Sequence, residues 1–305
     1  MINKKIIGFI TAFLFSITAA KAQVKNMIVA DAANKSVLPY ATVKVINKNY
    51  GCYSDSNGVA SIQADENDSL LVTYTGYEDA LIKLQKNDDT IFLTRKIYNE
   101  PEVTLVSLVK ETKAGFFKYR SFFTYFFGES SELATGIDLS GIEHSYRIDK
   151  IYLPLEINRK TFQNSVCKIH LYKQGNDGKP GEELLRKPVL LDRTFGAKND
   201  FYIDVSDQHI VCSEKVLFVG IECVMDKIAA TYEQGISERK DFNQKARTSP
   251  ISLYIAKEAL YFNDSYDHRF FRTLTDKRFQ WAGGNNALNI KAMNIAAGLV
   301  LLTGN

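Results

Sequence analysis

Residues Val37 to Tyr77 read VLPYATVKVINKNYGCYSDSNGVASIQADENDSLLVTYTGY, and their alternation decides the fold class. In Ala41-Thr42-Val43-Lys44-Val45 the side-chain period is two, so Ala41, Val43 and Val45 share a core face and Thr42 and Lys44 are expected to face water. Ser54-Asp55-Ser56-Asn57-Gly58 is turn chemistry: Asp and Asn bond nearby backbone, and Gly takes a positive φ without steric cost. Ala60 and Ile62 then point inward, followed by Leu70, Val72 and Tyr74. The same period continues through Ala80, Ile82 and Leu84, and through Ile91 and Leu93. Short strands at this spacing leave no room for a crossover helix and predict a small β-sandwich.

The order of several motifs adds to this reading. Pro39-Tyr40-Ala41-Thr42-Val43, Asp55-Ser56-Asn57-Gly58, Gly76-Tyr77 and Pro101-Glu102-Val103-Thr104-Leu105-Val106 together resemble the carboxypeptidase D regulatory-like domain, a transthyretin-type β-sandwich. The resemblance covers about Val24 to Ser107, roughly a quarter of the chain. Ala60 departs from it where the family usually has a bulky aromatic, and Ala30 where Gly is common. The resemblance implies a non-catalytic accessory module, and the family name is no evidence of peptidase activity.

Residues 1–22 read as a signal peptide. Lys4 and Lys5 form a charged start, Ile6 to Ala19 an apolar run, and Ala20-Lys21-Ala22 a small-residue cleavage site. The apolar run is short for a membrane span. Gln23, rather than Cys, follows the cleavage site, so the expected product is exported to the periplasm or cell surface and is not a lipoprotein. Removing Lys4, Lys5 and Lys21 brings the formal charge from +3 to zero. A neutral chain gives no basis for nucleic-acid binding, which needs clustered positive charge. No later stretch is apolar for long enough to span a bilayer as a helix.

The expected organisation is all-β: two tandem β-sandwiches, with residues 23–107 transthyretin-like, 108–114 a linker and 115–305 jelly-roll-like. Gly115 to Phe127 is the densest aromatic run. It reads as strand packed on a sheet, with a stacking platform for sugar rings as the functional alternative. Later strands are expected at Ile148–Ile157, Val166–Tyr172, Pro188–Asp192, Phe201–Val205, Val216–Val224 and Ile251–Ala256. Lys150-Ile151-Tyr152-Leu153-Pro154-Leu155, Ile169-His170-Leu171-Tyr172, Gly178-Lys179-Pro180-Gly181-Glu182-Glu183-Leu184-Leu185 and Val216-Leu217-Phe218-Val219-Gly220-Ile221-Glu222 are also similar to uncharacterised β-sandwich regions of envelope proteins, a resemblance that brings no activity. Asp226 to Arg247 is charged and Ala-rich and reads as a long loop with some helix.

Catalytic templates do not fit. The four histidines, His144, His170, His209 and His268, are not followed by Glu at zinc-peptidase spacing, and there is no nucleophile elbow or P-loop. By strand parity His170 lies opposite Cys167 and is expected at the surface. Glu143, Glu156, Asp204 and Glu222 are formal candidates for a glycosidase pair, with Glu156 and Glu222 expected on outward faces. The four cysteines, Cys52, Cys167, Cys212 and Cys223, read either as buried thiols or as disulfide partners whose connectivity spacing does not give. Asp55-Ser56-Asn57-Gly58, Asp65-Glu66-Asn67-Asp68 and Asp264-Ser265-Tyr266-Asp267 offer oxygens. They allow a structural calcium without matching a twelve-residue calcium loop.

The function expected from the sequence is therefore non-enzymatic: an exported cell-envelope protein that binds or scaffolds a glycan or protein partner. A glycan-acting hydrolase in the second sandwich is the alternative. Trp281, Tyr261 and Tyr266 are the candidate ligand-binding residues, Trp281 because Gly283-Gly284 would let a ligand approach closely.

Overall fold

The computed structural model describes residues 24–48, 50–98, 108–127, 131–157, 165–191, 194–195, 201–225, 251–256, 269–273, 282–283 and 295–304. Trp281, Tyr261 and Tyr266 lie outside these residues, as do the leader, the 226–247 stretch and the 264–267 oxygen cluster. The described chain is all-β. No helix among the described residues is long and apolar enough to cross a membrane.

Residues 24–98 build one sandwich from β1 (Val24–Asp31), β2 (Thr42–Val45), β3 (Tyr50–Tyr53), β4 (Val59–Gln63), β5 (Ser69–Thr73), β6 (Ala80–Lys83) and β7 (Thr90–Leu93). One sheet has the order β4-β1-β7 and the other β3-β2-β5-β6. Val43, Ile62, Leu70, Val72 and Ile91, the inward residues that the period of two predicts, meet between them together with Val29 of β1. β1 and β7 pair in parallel, Ile28 with Thr90 through Asp31 with Leu93. Asp31 closes the far end of β1. Its Oδ2 accepts from the Tyr77 hydroxyl and from Arg95 Nε, each at 2.7 Å, and its Oδ1 from the N–H groups of Ala33 and Asn34. The Tyr of the Gly-Tyr motif is thus a tie between strands.

The remaining strands are β8 (Leu108–Gly115), β9 (Tyr119–Phe127), β10 (Ser131–Asp138), β11 (Tyr146–Tyr152), β12 (Leu155–Ile157), β13 (Ser165–Gln174), β14 (Pro180–Glu183) and β15 (Val189–Leu191). They continue with β16 (Tyr202–Asp204), β17 (Val211–Cys212), β18 (Val216–Met225), β19 (Ile251–Ala256), β20 (Arg269–Thr273), β21 (Ala282–Gly283) and β22 (Gly298–Gly304). One layer runs β14-β13-β18-β10-β20-β21, with β15 also on β13. The facing layer runs β16-β11-β22-β8, with β17 also on β11. Ile169, Leu171, Val219 and Ile221 from the first layer pack against Ile148, Ile151, Leu299 and Leu301 from the second. A third sheet, β12-β19-β9, takes in the aromatic run, which is strand as expected.

Three expectations need correction. The polar stretch 108–114 is not a linker but most of β8, paired along β22 from Gly298–Gly115 onward. Its exposed Lys110, Glu111 and Lys113 suit an edge strand, where charge discourages pairing with another chain. The strand expected at Ile148–Ile157 is two strands, broken at Leu153-Pro154, because proline has no N–H for the ladder. Thr42 and Lys44 do not face water: they are 3% and 0% exposed. Lys44 folds its ammonium onto the carbonyls of Lys48 and Tyr50, and Thr42 is covered by the second sandwich.

Candidate functional site

Among the described residues, two places concentrate polar chemistry. The first is the junction between the sandwiches. By parity, β13 turns Cys167, Ile169 and Leu171 to its core and Lys168, His170 and Tyr172 to the other face. The same period sends Glu222, Gly220 and Phe218 of β18 outward, together with Glu132 and Ala134 of β10. Register places Lys168 directly opposite Glu222, and Glu222 opposite Glu132. This face is not solvent, because β2 and β3 of the first sandwich lie over it, with Thr42 and Tyr53 side by side. The surface positions expected for His170 and Glu222 are therefore wrong: both are buried. Their parity was right, but a second sandwich covers the face.

The covered groups satisfy one another. Lys168 Nζ lies 2.5 Å from Glu222 Oε2, donates to Thr42 Oγ1 at 2.8 Å and to the Tyr40 carbonyl at 3.2 Å, and sits over the Tyr53 ring. The Tyr53 hydroxyl donates to Glu222 Oε1 at 2.8 Å. Burial, and then the neighbouring Glu222 carboxylate, pushes that phenol far above its ordinary range, so it stays a donor. His170 bridges two acids, with Nδ1 2.6 Å from Glu183 and Nε2 3.3 Å from Glu222. Burial disfavours its charge, but Glu132, Glu183 and Glu222 outweigh burial and lift it to about 10. Both ring nitrogens then carry protons and donate. Glu222 shows the converse: burial raises its carboxyl, but Lys168 and His170 prevail and hold it well below the usual carboxylate range.

Tyr172 stacks on His170 and donates to Glu132 Oε1 at 2.6 Å. That bond crosses Gly220, where a Cβ would stand 3.1 Å from Glu132 Oε1, the His170 Cβ and the Tyr172 ring. Glycine at this point of the strand is a space requirement.

Glu132, His170 and Glu222 bring one ligand-type atom each within 4.8 Å of one another, a donor set that suits a divalent cation in principle. Here the atoms are committed to protein donors, and a cation would have to displace the Lys168 ammonium and the His170 Nε2 proton. The arrangement is an ion and hydrogen-bond network. In the loops weighed for calcium, Asp55 Oδ1 accepts from the N–H groups of Asn57 and Val59. Asp65 and Asp68 both pair with Lys48.

A second set of contacts holds the junction beside this network. Lys96 pairs with Glu182, the Tyr98 hydroxyl donates to the Leu185 carbonyl, and the Arg186 guanidinium lies over the Tyr98 ring. Gly76, at φ +86° in the turn closed by Tyr77 N–H to the Tyr74 carbonyl, backs onto Arg186. A Cβ there would stand 2.1 Å from the Arg186 carbonyl oxygen. The motif glycine answers both the turn and the docking of the second sandwich.

The second polar place lies on the other layer. One cross-strand row runs Lys113, Val300, Lys150 and Asp204 over β8, β22, β11 and β16. With Glu111 and Tyr202 it lines a groove of about 460 Å³. An aromatic shelf borders the groove. Phe117 stacks on Tyr152 at 4.8 Å between ring centroids, and Tyr152 meets Tyr202 at 5.1 Å. Phe117 lies against Gly298, where a Cβ would come within 2.5 Å of its ring. Lys113 stands over both Phe117 and Tyr202. Tyr202 is 40% exposed, the most exposed of the three rings of the shelf. Asp204 accepts from the Ser206 hydroxyl and N–H. These bonds, with Lys150 nearby, hold its carboxyl below its ordinary range, so it accepts hydrogen bonds rather than donates a proton.

Of the formal acid candidates, Glu143 and Glu156 are exposed, Glu222 is in the junction and Asp204 is on the groove. Sequence reasoning missed the groove residues Lys113, Phe117, Tyr152 and Tyr202. Parity alone turns Tyr202 away from Phe201, but the row comes from four distant strands. Compared with known proteins, the chain matches no family model, no curated protein and no solved structure.

Proposed function

We propose that this chain is a non-catalytic, exported cell-envelope protein that binds a glycan on the outer face of the β16-β11-β22-β8 layer. The first sandwich, of the regulatory-like kind suggested by its motifs, serves as a docking or spacer element on the opposite layer. One observation carries the reading: a polar row, Lys113–Lys150–Asp204, beside an aromatic shelf that ends in exposed Tyr202. Sugar rings offer apolar faces to aromatic side chains and hydroxyls to fixed charges, and an open groove of this size accommodates a few such rings. The junction network supports the scaffolding half, because its charged groups are taken up by one another and hold the two bodies together.

The test is retention of the purified chain on immobilised and insoluble polysaccharides, with Tyr202→Ala and Lys113→Ala alongside. Retention on one glycan, reduced about tenfold or more in Tyr202→Ala, is expected. Equal retention of all three proteins, or of none, overturns the glycan reading and turns the search to a protein partner. Because Glu111 and Asp204 both line the groove, release of reducing ends from the retained glycan is measured in the same experiment. Release that is lost in Asp204→Asn replaces the binder with a hydrolase.

A further inference from the structure

Cys167 and Cys223 are both fully buried, no disulfide joins them in this structure, and they are register partners at one end of the long β13–β18 ladder. The hydrogen bonds further along define what kind of partners they are. Leu171 accepts from Leu184 N–H through its carbonyl and donates its own N–H to Glu183 Oε1. Both of its backbone groups therefore point to the β14 side, away from β18. Leu171 opposite Val219 is then a non-hydrogen-bonded pair of the β13–β18 ladder. Such pairs alternate along an antiparallel ladder, and the register from Lys173 to Ser165 is unbroken. Ile169 with Ile221, and Cys167 with Cys223, are pairs of the same kind.

In non-hydrogen-bonded pairs the Cα atoms stand about 4.5 Å apart and the side chains approach most closely. That separation lies within the range a disulfide requires, about 4.4–6.8 Å. Both side chains also point into the same core.

We infer that Cys167 and Cys223 form a cross-strand disulfide when the chain folds in an oxidising compartment. Its occurrence in the cell rests on the export reading above, whereas its geometry does not. The oxidant is a disulfide of a small thiol or of a dithiol oxidoreductase. The thiolate of one cysteine attacks it and releases one thiol, forming a mixed disulfide. The thiolate of the other cysteine then attacks the protein sulfur and releases the second thiol. The two cysteine protons go to the released thiolates, and the two electrons reduce the oxidant's sulfur–sulfur bond. Because both sulfurs are shut away in the finished core, the exchange precedes closure of the β16-β11-β22-β8 layer over β13 and β18. Cys52 and Cys212 sit in different places, one against the core of the first sandwich and the other beside Tyr146, and they remain thiols.

The experiment takes the full chain in two preparations: isolated without reductant, and refolded with reduced and oxidised glutathione. Each is unfolded, alkylated and mapped by mass spectrometry. The expected result is a chain lighter by two hydrogens, with the Cys167 and Cys223 peptides linked and two sites alkylated. The link persists in Cys52→Ser/Cys212→Ser and is lost in Cys167→Ala. Alkylation of both Cys167 and Cys223 in both preparations overturns the inference, as does a link from either to Cys52 or Cys212. A link found only after refolding with glutathione upholds the geometry and tells against export. A link with no glycan retention leaves the disulfide standing while the binding reading falls.

Discussion

Lys168 and Glu222 face each other across two neighbouring strands of one sandwich, 2.5 Å apart, in a place where the other sandwich excludes water from both. Truncating one partner of a buried ion pair strands the other charge, at a cost of about 3–5 kcal/mol. Glu222 keeps the His170 imidazolium and the Tyr53 hydroxyl, so Lys168→Met is expected to destabilise the chain by the lower end of that range, about 3 kcal/mol, read as the shift of the urea midpoint at constant slope. Lys168→Met with Glu222→Gln removes both charges and should recover most of the loss. If the single variant matches the parent, the pair contributes no net stability.

The bridging imidazole makes stability depend on pH. His170 is raised from 6.5 to about 10 in the fold, so the folded state holds a proton that the unfolded chain releases near 6.5. Its contribution is complete below that pH and is lost as pH rises through about 10. The unfolding midpoint should fall between pH 7 and pH 10, and the slope should be smaller in His170→Gln. The variant comparison isolates the imidazole from Lys168, Glu132, Glu183, Glu222 and the two tyrosines that face it. Identical slopes would mean that His170 is neutral in the fold.

Gly76→Ala tests the docking. The variant combines a positive φ with a Cβ that cannot fit against the Arg186 carbonyl. An L-residue in that backbone conformation costs about 1–3 kcal/mol, and the clash adds to it unless the sandwiches part. The expected outcome is a lower melting temperature with a larger radius of gyration by solution scattering. A lower melting temperature with unchanged dimensions would confine the defect to the turn.

Asp31 governs the acid side. The Tyr77 hydroxyl, then Arg95 and the Ala33 and Asn34 N–H groups, hold its carboxyl well below the ordinary range despite burial. Stability from a depressed carboxyl is present above its unfolded value and is lost as pH falls through the folded one. Tyr77→Phe weakens the depression, so acid unfolding should begin at a higher pH than in the parent. A circular-dichroism titration from pH 7 downward decides it, and coincident curves would reject the tie.

Much of this was legible from alternation alone. The faces of Cys167, Ile169, Leu171, Val43 and Val45 follow from a period of two, as does the outward turn of Lys168, His170 and Glu222. The period does not say what lies beyond a face. Lys168 and Thr42, which meet through a hydrogen bond, are 126 residues apart, and no local pattern records that one sheet lands on the other. The same limit explains the groove, because Lys113 on β8 meets Lys150 on β11 only across β22, and Asp204 joins the row from β16 on the far side of β11. The strand break at Leu153-Pro154 was visible in the proline itself. The 108–114 stretch looked like a link because an edge strand carries the charges that a linker carries.

The parallel pairing of β1 with β7 has a mechanical meaning. Tension applied at the two ends of the first sandwich would pull β1 and β7 in opposite directions along their common axis. The hydrogen bonds from Ile28–Thr90 to Asp31–Leu93 would then bear load together, in shear, instead of opening one after another. Under such tension the module would resist extension until those rungs gave way at once.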